Sequence, residues 1–312
     1  MTQFTRWSLA MERALYGPGG FYRRELPRHH FSTSAQTPVF AEAVARLAEE
    51  VDEGLGRPAV FDVVDVGAGN GELLGHLASL LDERARLTAV ELRPKPRDLP
   101  ERIAWSADVP RGVTGLVIAC ELLDNMPCDI AVVDESGEVR YEEVDESGET
   151  RPGDPVTGAD AKWLAEWWPI REPGERAEIG LPREAKWREL AGCAETGTVL
   201  AIDYGHTSAA RPAGGTLAAF RGGRGVRPVP DGSCDITAHV AVDAIPCEQV
   251  RTQREALGEL GLPVDRPPLA LAYRDPTGYA VELARASASA RLTARSGLGA
   301  HWWMTTSKAG GR

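Results

Sequence analysis

The sequence predicts an α/β fold: a doubly wound, mostly parallel sheet with helices on both faces. Three observations carry it. Apolar runs of strand length, FDVVDV at 61–66 and TGLVIA at 114–119, read as buried strands. Stretches with helical spacing alternate with such runs along the chain. The first run opens into Gly67-Ala68-Gly69-Asn70-Gly71 and then a helical stretch, the junction at which such sheets bind nucleotide-like ligands.

The elements follow in order. Trp7, Met11, Ala14 and Leu15 support a short first helix, and an irregular segment rich in Gly, Pro and Arg follows to residue 36. A second helix begins at Thr37 with Pro38 in its first turn. It carries the stripe Val39, Phe40, Val44 and Leu47 and ends near Gly54 or Gly56. Strand Phe61–Val66 leads to a helix over Glu72–Leu81; strands Arg86–Val90, Ile103–Ala107 and Thr114–Ala119 follow. IAVVD and EVRYEEV flank Glu135-Ser136-Gly137 as a hairpin, and residues 145–157 read as an exposed polar loop. Helices are expected over Gly158–Trp168, Pro182–Ala194 and Glu248–Leu260. TVLAID ends a strand at Asp203, and GTLAAF and HWWMTTS are late strands, one of them antiparallel. No repeat or linker divides the chain, so one domain over 1–312 is expected. Its parts are an amino-terminal helical or lid segment (1–56), a core (57–128), a hairpin and helical insertion (129–195) and a completing segment (196–312).

Composition narrows the function. With 43% hydrophobic and 26% charged residues, the 312-residue chain has the balance of a soluble globular protein. A formal charge of −11 argues against nucleic acid or an anionic membrane as partner, although Arg221, Arg224 and Arg227 form a local basic stretch. The five cysteines lack a C-x-x-C pair and suit a reducing cytoplasm; the six histidines lack ligand spacing, so no metal is expected. No apolar run reaches the roughly 20 residues that span a bilayer, and the charged start is unlike a secretory signal.

The glycine turn itself discriminates between cofactors. A dinucleotide fingerprint asks for a third glycine where this chain has Glu72, and a carboxylate there repels a pyrophosphate. It suits the sulfonium and amino group of S-adenosyl-L-methionine (SAM). Glu91, with Leu92 after it, ends the next strand twenty residues beyond Gly71, where a carboxylate accepts ribose hydroxyls. Asp108, followed by Val109, ends the third strand, where it can accept from an adenine amino group. Asp65, inside the first strand, can lie near the cofactor's amino group. The fourth strand runs into Glu121, Asp124 and Asn125, which should border the transferred methyl group.

Several segments together resemble the MidA-like family of class I SAM-dependent methyltransferases, whose mitochondrial members are complex I assembly factors that methylate an arginine. They are ALYGPGGFY (14–22), FSTSAQTPVFAE, VVDVGAGNGELL, ACELLDNMPCD, GTVLAIDYGH, GTLAAF and DGSCDITAHV. The resemblance implies a Rossmann-like fold with SAM held by Gly67, Gly69, Gly71, Glu91 and Asp108, and Glu121 facing the methyl group as the catalytic candidate. It places Asp203, Tyr204 and His206 in the substrate cleft and marks Asp235 and His239 as a further feature. His239 is expected to hydrogen-bond Asp235 and fix a loop. The chain departs from the family at His29-His30-Phe31-Ser32-Thr33-Ser34-Ala35, at Cys120, and at the 220–229 loop, which lacks a histidine.

The expected activity is therefore methyl transfer from SAM to nitrogen, with a protein arginine as acceptor. A small-molecule methyltransferase and a SAM-binding assembly protein without catalysis are the alternatives, and a dehydrogenase is a distant one.

Overall fold

The continuous apolar runs become strands buried on both sides, and every residue of Phe61–Val66 is buried. In the computed structural model, which describes residues 3–25, 33–263 and 265–309, these strands belong to a seven-stranded sheet. Two compact units share the chain in alternating segments. One comprises Met1–Ser32, Glu121–Ala191 and Asp203–Cys247; the other comprises Thr33–Cys120, Gly192–Ile202 and Glu248–Arg312.

The second unit carries the large sheet. Its strands run Ile103–Ser106, Ala85–Val90, Phe61–Val66, Val113–Cys120, Ala194–Asp203, Trp302–Lys308, Gln249–Thr252. The first five are parallel neighbours, and the last two pair antiparallel. Strand order reverses between Phe61–Val66 and Val113–Cys120, so the glycine turn sits at the topological switch point where such sheets bind ligands. Val63, Leu116, Ile118, Leu200 and Ile202 pack with Phe40, Val44, Leu74, Leu77 and Trp303 in one core. Burying each such side chain stabilises by roughly 1.5–3 kcal/mol. The helix Pro38–Gly54 starts as its sequence demands, with the Thr37 hydroxyl accepting from the Phe40 N–H and Pro38 in the first turn.

The first unit is built around an antiparallel sheet in the order Thr5–Arg6, Val139–Val144, Ile130–Val133, Arg176–Glu178. Trp7, Met11, Leu15 and Phe21 form one buried cluster with Ile130, Val144 and Ile236, and Trp163, Trp168 and Ile179 anchor another. Ala218–Arg221 lies between Arg224–Val226 and Asp235–Thr237 in a separate three-stranded sheet. GTLAAF is thus a strand, but not one of the large sheet.

Two expectations are corrected. Part of the expected 145–157 loop is an edge strand, Thr150–Pro155, paired with Val139–Val144. Its side chains are mostly exposed, so its sequence keeps loop composition. The helix expected from Glu248 starts at Gln253. Gln249–Thr252 pairs instead with Trp302–Lys308, and Thr252 with Glu255 forms a capping box that fixes the helix start. Helices Leu269–Arg274 and Pro276–Leu292 gave no sequence signal, because the longer one buries only Ala286, Ser289 and Leu292. Among the described residues, no helix is long and apolar enough to cross a membrane. The five cysteines, all among the described residues, form no disulfide.

Candidate functional site

The glycine turn is closed on itself. Gly67, Gly69 and Gly71 have φ of 78°, 60° and 74°, values that side chains with a Cβ rarely adopt. Gly67 and Ala68 donate their N–H groups to the Val90 carbonyl at 2.9 and 3.2 Å, and Gly71 donates to Ala68 at 2.7 Å. The Gly69 N–H goes to Glu91 Oε2 and the Asn70 N–H to Glu72 Oε2, each at 3.0 Å. All five backbone donors of the turn therefore have protein acceptors, two of them carboxylates.

Negative charge collects here. Asp65 is 3% exposed, and burial, then the charges of Glu72 and Glu91, push its carboxyl up to about 7. Glu91 Oε1 also accepts from the backbone of Leu92 and Arg93 at 2.9 and 3.2 Å, while the Leu92 side chain stays exposed. The Glu91 N–H donates to the Ser106 carbonyl at 2.9 Å, and Ser106 Oγ accepts from the Asp108 N–H at 3.0 Å. Asp65, the turn, Glu91 and Asp108 with Val109 thus stand in order along the carboxyl ends of three neighbouring strands. Glu72, a repulsive charge toward a pyrophosphate, also pins Asn70, through both backbone and side chain.

In the first unit, the residues after Val113–Cys120 and after Ala194–Asp203 build a second acidic arrangement. Glu121 follows Cys120 with φ +53°, a strained conformation for a residue with a Cβ. Asp203, fully buried, accepts the N–H groups of Leu123 and Asp124 at 2.8 and 3.1 Å through Oδ2, and of Tyr204 at 3.0 Å through Oδ1. Burial, then the charges of Asp124 and Glu121, hold its carboxyl well above the usual range. Asp124, 3% exposed, takes the Tyr204 hydroxyl and, at 2.6 Å, the Thr237 hydroxyl on Oδ2. Asp235 accepts the Tyr22 hydroxyl at 2.5 Å, and burial, then Asp124, push its carboxyl up to about 7. Asn125 is held by the Tyr16 hydroxyl, which reaches its carbonyl at 3.2 Å.

His206 is held by an arginine, and His239 does something other than expected. Arg211 Nη1 lies 2.7 Å from His206 Nδ1 and donates to it, with Asp243 holding the same guanidinium. Burial, then Arg211, lowers the imidazole to about 4, so the ring is neutral with its proton on Nε2. The expected His239–Asp235 bond is replaced: Tyr22 takes Asp235, and the exposed His239 packs edge-on against the Tyr204 ring at 5.0 Å. Residues missed by sequence reasoning are Tyr16, Tyr22, Thr237 and Arg183. The two tyrosines sit in ALYGPGGFY and Thr237 in DITAHV, so the motifs held the signal. Arg183, 1% exposed, donates to the carbonyls of Leu123, Asp124 and Ala238 at 3.0, 3.4 and 3.2 Å. Nothing local in the sequence marks it. The His29-His30-Phe31-Ser32 departure lies outside the described residues. Among those described, no three His, Cys, Asp or Glu side chains are grouped to hold a metal ion.

A family model described as "putative S-adenosyl-L-methionine-dependent methyltransferase" matches residues 43–259, more than half of the chain. The chain belongs to this methyltransferase family. Two crystal structures of superfamily proteins from Burkholderia thailandensis are similar to it throughout. The one bound to S-adenosyl-homocysteine has a TM-score of 0.80 at 25% identity, covering 98% of this chain and 88% of that one. The other, a native structure, has a TM-score of 0.79 at 25% identity, covering 98% and 87%. No curated protein matches this chain.

The cofactor of this methyltransferase is SAM, and the turn fits it. A pyrophosphate would meet five N–H groups already engaged and the carboxylates of Asp65, Glu72 and Glu91. A cationic cofactor meets a field of the right sign.

Proposed function

We propose that this methyltransferase acts on a nitrogen of an arginine side chain in a partner protein, in keeping with its MidA-like resemblance. Asp65, Gly67, Ala68, Gly69, Asn70, Gly71, Glu91, Leu92, Asp108 and Val109 are the proposed cofactor contacts. Glu121 is the proposed catalytic residue, and Asp124, Asn125, Asp203, Tyr204, His206, Asp235 and His239 the proposed acceptor side. Bound SAM supplies a methyl group on a sulfonium, open to direct displacement.

What the chain must add is charge control. A guanidinium has a pKa above about 12, so it arrives as a cation and gives up a proton as its N–CH3 bond forms and the S–CH3 bond breaks. The observation that carries the reading is the buried acidic set Asp124, Asp203 and Asp235 with Glu121 beside Asp203. Its nearby buried guanidinium, Arg183, directs its hydrogen bonds to backbone carbonyls. Such a set favours a cationic acceptor, orients it and offers carboxylates for the departing proton.

The test is to incubate the protein and methyl-labelled SAM with cell lysate and identify labelled species by mass spectrometry. Label on arginine residues of a protein is expected. Label confined to low-mass products, or on another residue type, would count against the reading.

A further inference from the structure

Within the acidic set, one oxygen stands out. Both hydroxyl donors that reach Asp124, from Tyr204 and Thr237, converge on Oδ2. Oδ1 is buried and has no hydrogen-bond partner among the described residues, although the residue is only 3% exposed. A buried carboxylate oxygen left bare is a costly arrangement unless a ligand completes it.

The surroundings define that ligand. Asp203 holds the backbone of residues 123 and 124 through Oδ2 and so fixes where Asp124 points. Asp235, on the same strand as Thr237, adds a second carboxylate whose Oδ1 is occupied by Tyr22. The groups that bear on Asp124 are thus Tyr204, Thr237, Arg183 and the backbone N–H of Asn125, with Asp203, Asp235, Tyr22 and His239 influenced by it in turn. Hydroxyl donors and the arginine leave the arrangement short of positive charge by more than one unit if its carboxylates are ionised. A neutral amide would satisfy Oδ1 but not the charge; a planar cation with several N–H groups satisfies both.

We propose that Asp124 reads the acceptor: its Oδ1 accepts an N–H from the acceptor guanidinium, with Asp235 as the second negative charge. This rests on the arginine reading above and assigns it to a named atom. One consequence is a proton linkage. Asp235 is raised to about 7 by burial and by Asp124, and an arriving cation stabilises its ionised form. Binding therefore releases protons near pH 7 and strengthens as pH rises through that value.

The experiment titrates the intact protein, saturated with S-adenosyl-homocysteine, with Nα-acetyl-arginine methylamide and with its neutral citrulline counterpart. Calorimetry in buffers of different ionisation heat, across about pH 6 to 8, reads affinity and proton release together. The arginine probe is expected to bind at least about tenfold more tightly than the citrulline probe and to release protons. Asp124→Asn should weaken the arginine probe about tenfold or more while S-adenosyl-homocysteine affinity holds, and Asp235→Asn should flatten the pH dependence. Equal binding of the two probes, no binding of the arginine probe at about 10 mM, or no proton release would overturn the proposal. These wild-type readings decide it even if Asp124→Asn does not fold. Lysate arginine methylation by the wild type, with unimpaired probe binding by Asp124→Asn, would sink the Asp124 assignment and leave the arginine reading standing. Label on other residues would remove the reading itself.

Discussion

Glu91 Oε2 accepts the backbone N–H of Gly69 at 3.0 Å, so the acid that ends one strand is the clasp of the glycine turn that ends its neighbour. The same carboxylate takes the backbone of Leu92 and Arg93 on its other oxygen. Glu91→Ala removes every one of these acceptors. SAM affinity should fall at least about tenfold, and stability by about 1–3 kcal/mol. Glu91→Gln, which keeps one acceptor oxygen, should fall between. Calorimetric affinity and a denaturant midpoint check both, and a wild-type affinity in Glu91→Ala would remove Glu91 from the cofactor site.

Gly71 tests the turn from its packing side. A Cβ there would lie 3.0 Å from both Leu99 methyl groups and 3.4 Å from the Trp105 ring, at φ +74°. Gly71→Ala should cost about 1–3 kcal/mol in unfolding free energy. Gly69 is different: its Cβ would meet only Glu72 Oε2 at 3.5 Å, so Gly69→Val pays mainly in backbone strain and in blocked approach to the cofactor. Its SAM affinity should drop more than its stability does. Equal midpoints for wild type and Gly71→Ala would contradict the packing described.

Asp65 sets a pH dependence with a definite sign. Its carboxyl is raised from 3.8 to about 7 in the folded protein. Stability from this group is therefore fully present below its unfolded pKa and is lost as pH rises through about 7. The loss has an upper bound of about 4 kcal/mol. Without SAM, melting temperature should decline from pH 4 toward about 7 and above, and Asp65→Asn should decline less. A steeper decline in Asp65→Asn would reverse the sign and refute the account of this residue.

His206 should remain neutral through the physiological range. Its imidazole is held near 4 by burial and by Arg211, which occupies Nδ1. Nuclear magnetic resonance titration of the ring should show no transition between about pH 5 and 8 in the wild type. Arg211→Ala should raise the midpoint. A wild-type midpoint above about 6 would show that Arg211 does not govern this ring.

Legibility followed the physical origin of each feature. Phe61–Val66 and Val113–Cys120 were readable because burial on both faces writes a continuous apolar run. Thr150–Pro155 was not, because its strand character comes from pairing with Val139–Val144 and its side chains face solvent. Pro276–Leu292 buries too few residues to print a stripe. In the site, the glycine turn and the acids at strand ends were legible because local spacing places them. Arg183 was invisible, since its meaning lies in the carbonyls of Leu123, Asp124 and Ala238, which only the fold brings to it. Tyr22 and Asp235 likewise meet across 213 positions of sequence.

The most direct test of the central claim compares wild type with Glu121→Gln. Glu121 sits at φ +53° directly after Cys120, the last residue of its strand. Both proteins would be given methyl-labelled SAM and the same lysate, with SAM affinity measured in parallel and labelled residues located by mass spectrometry. Methylarginine is expected from the wild type, and a loss of about a hundredfold or more in Glu121→Gln at nearly unchanged SAM affinity. Wild-type label on any residue other than arginine, or equal labelling by both proteins, would contradict that claim.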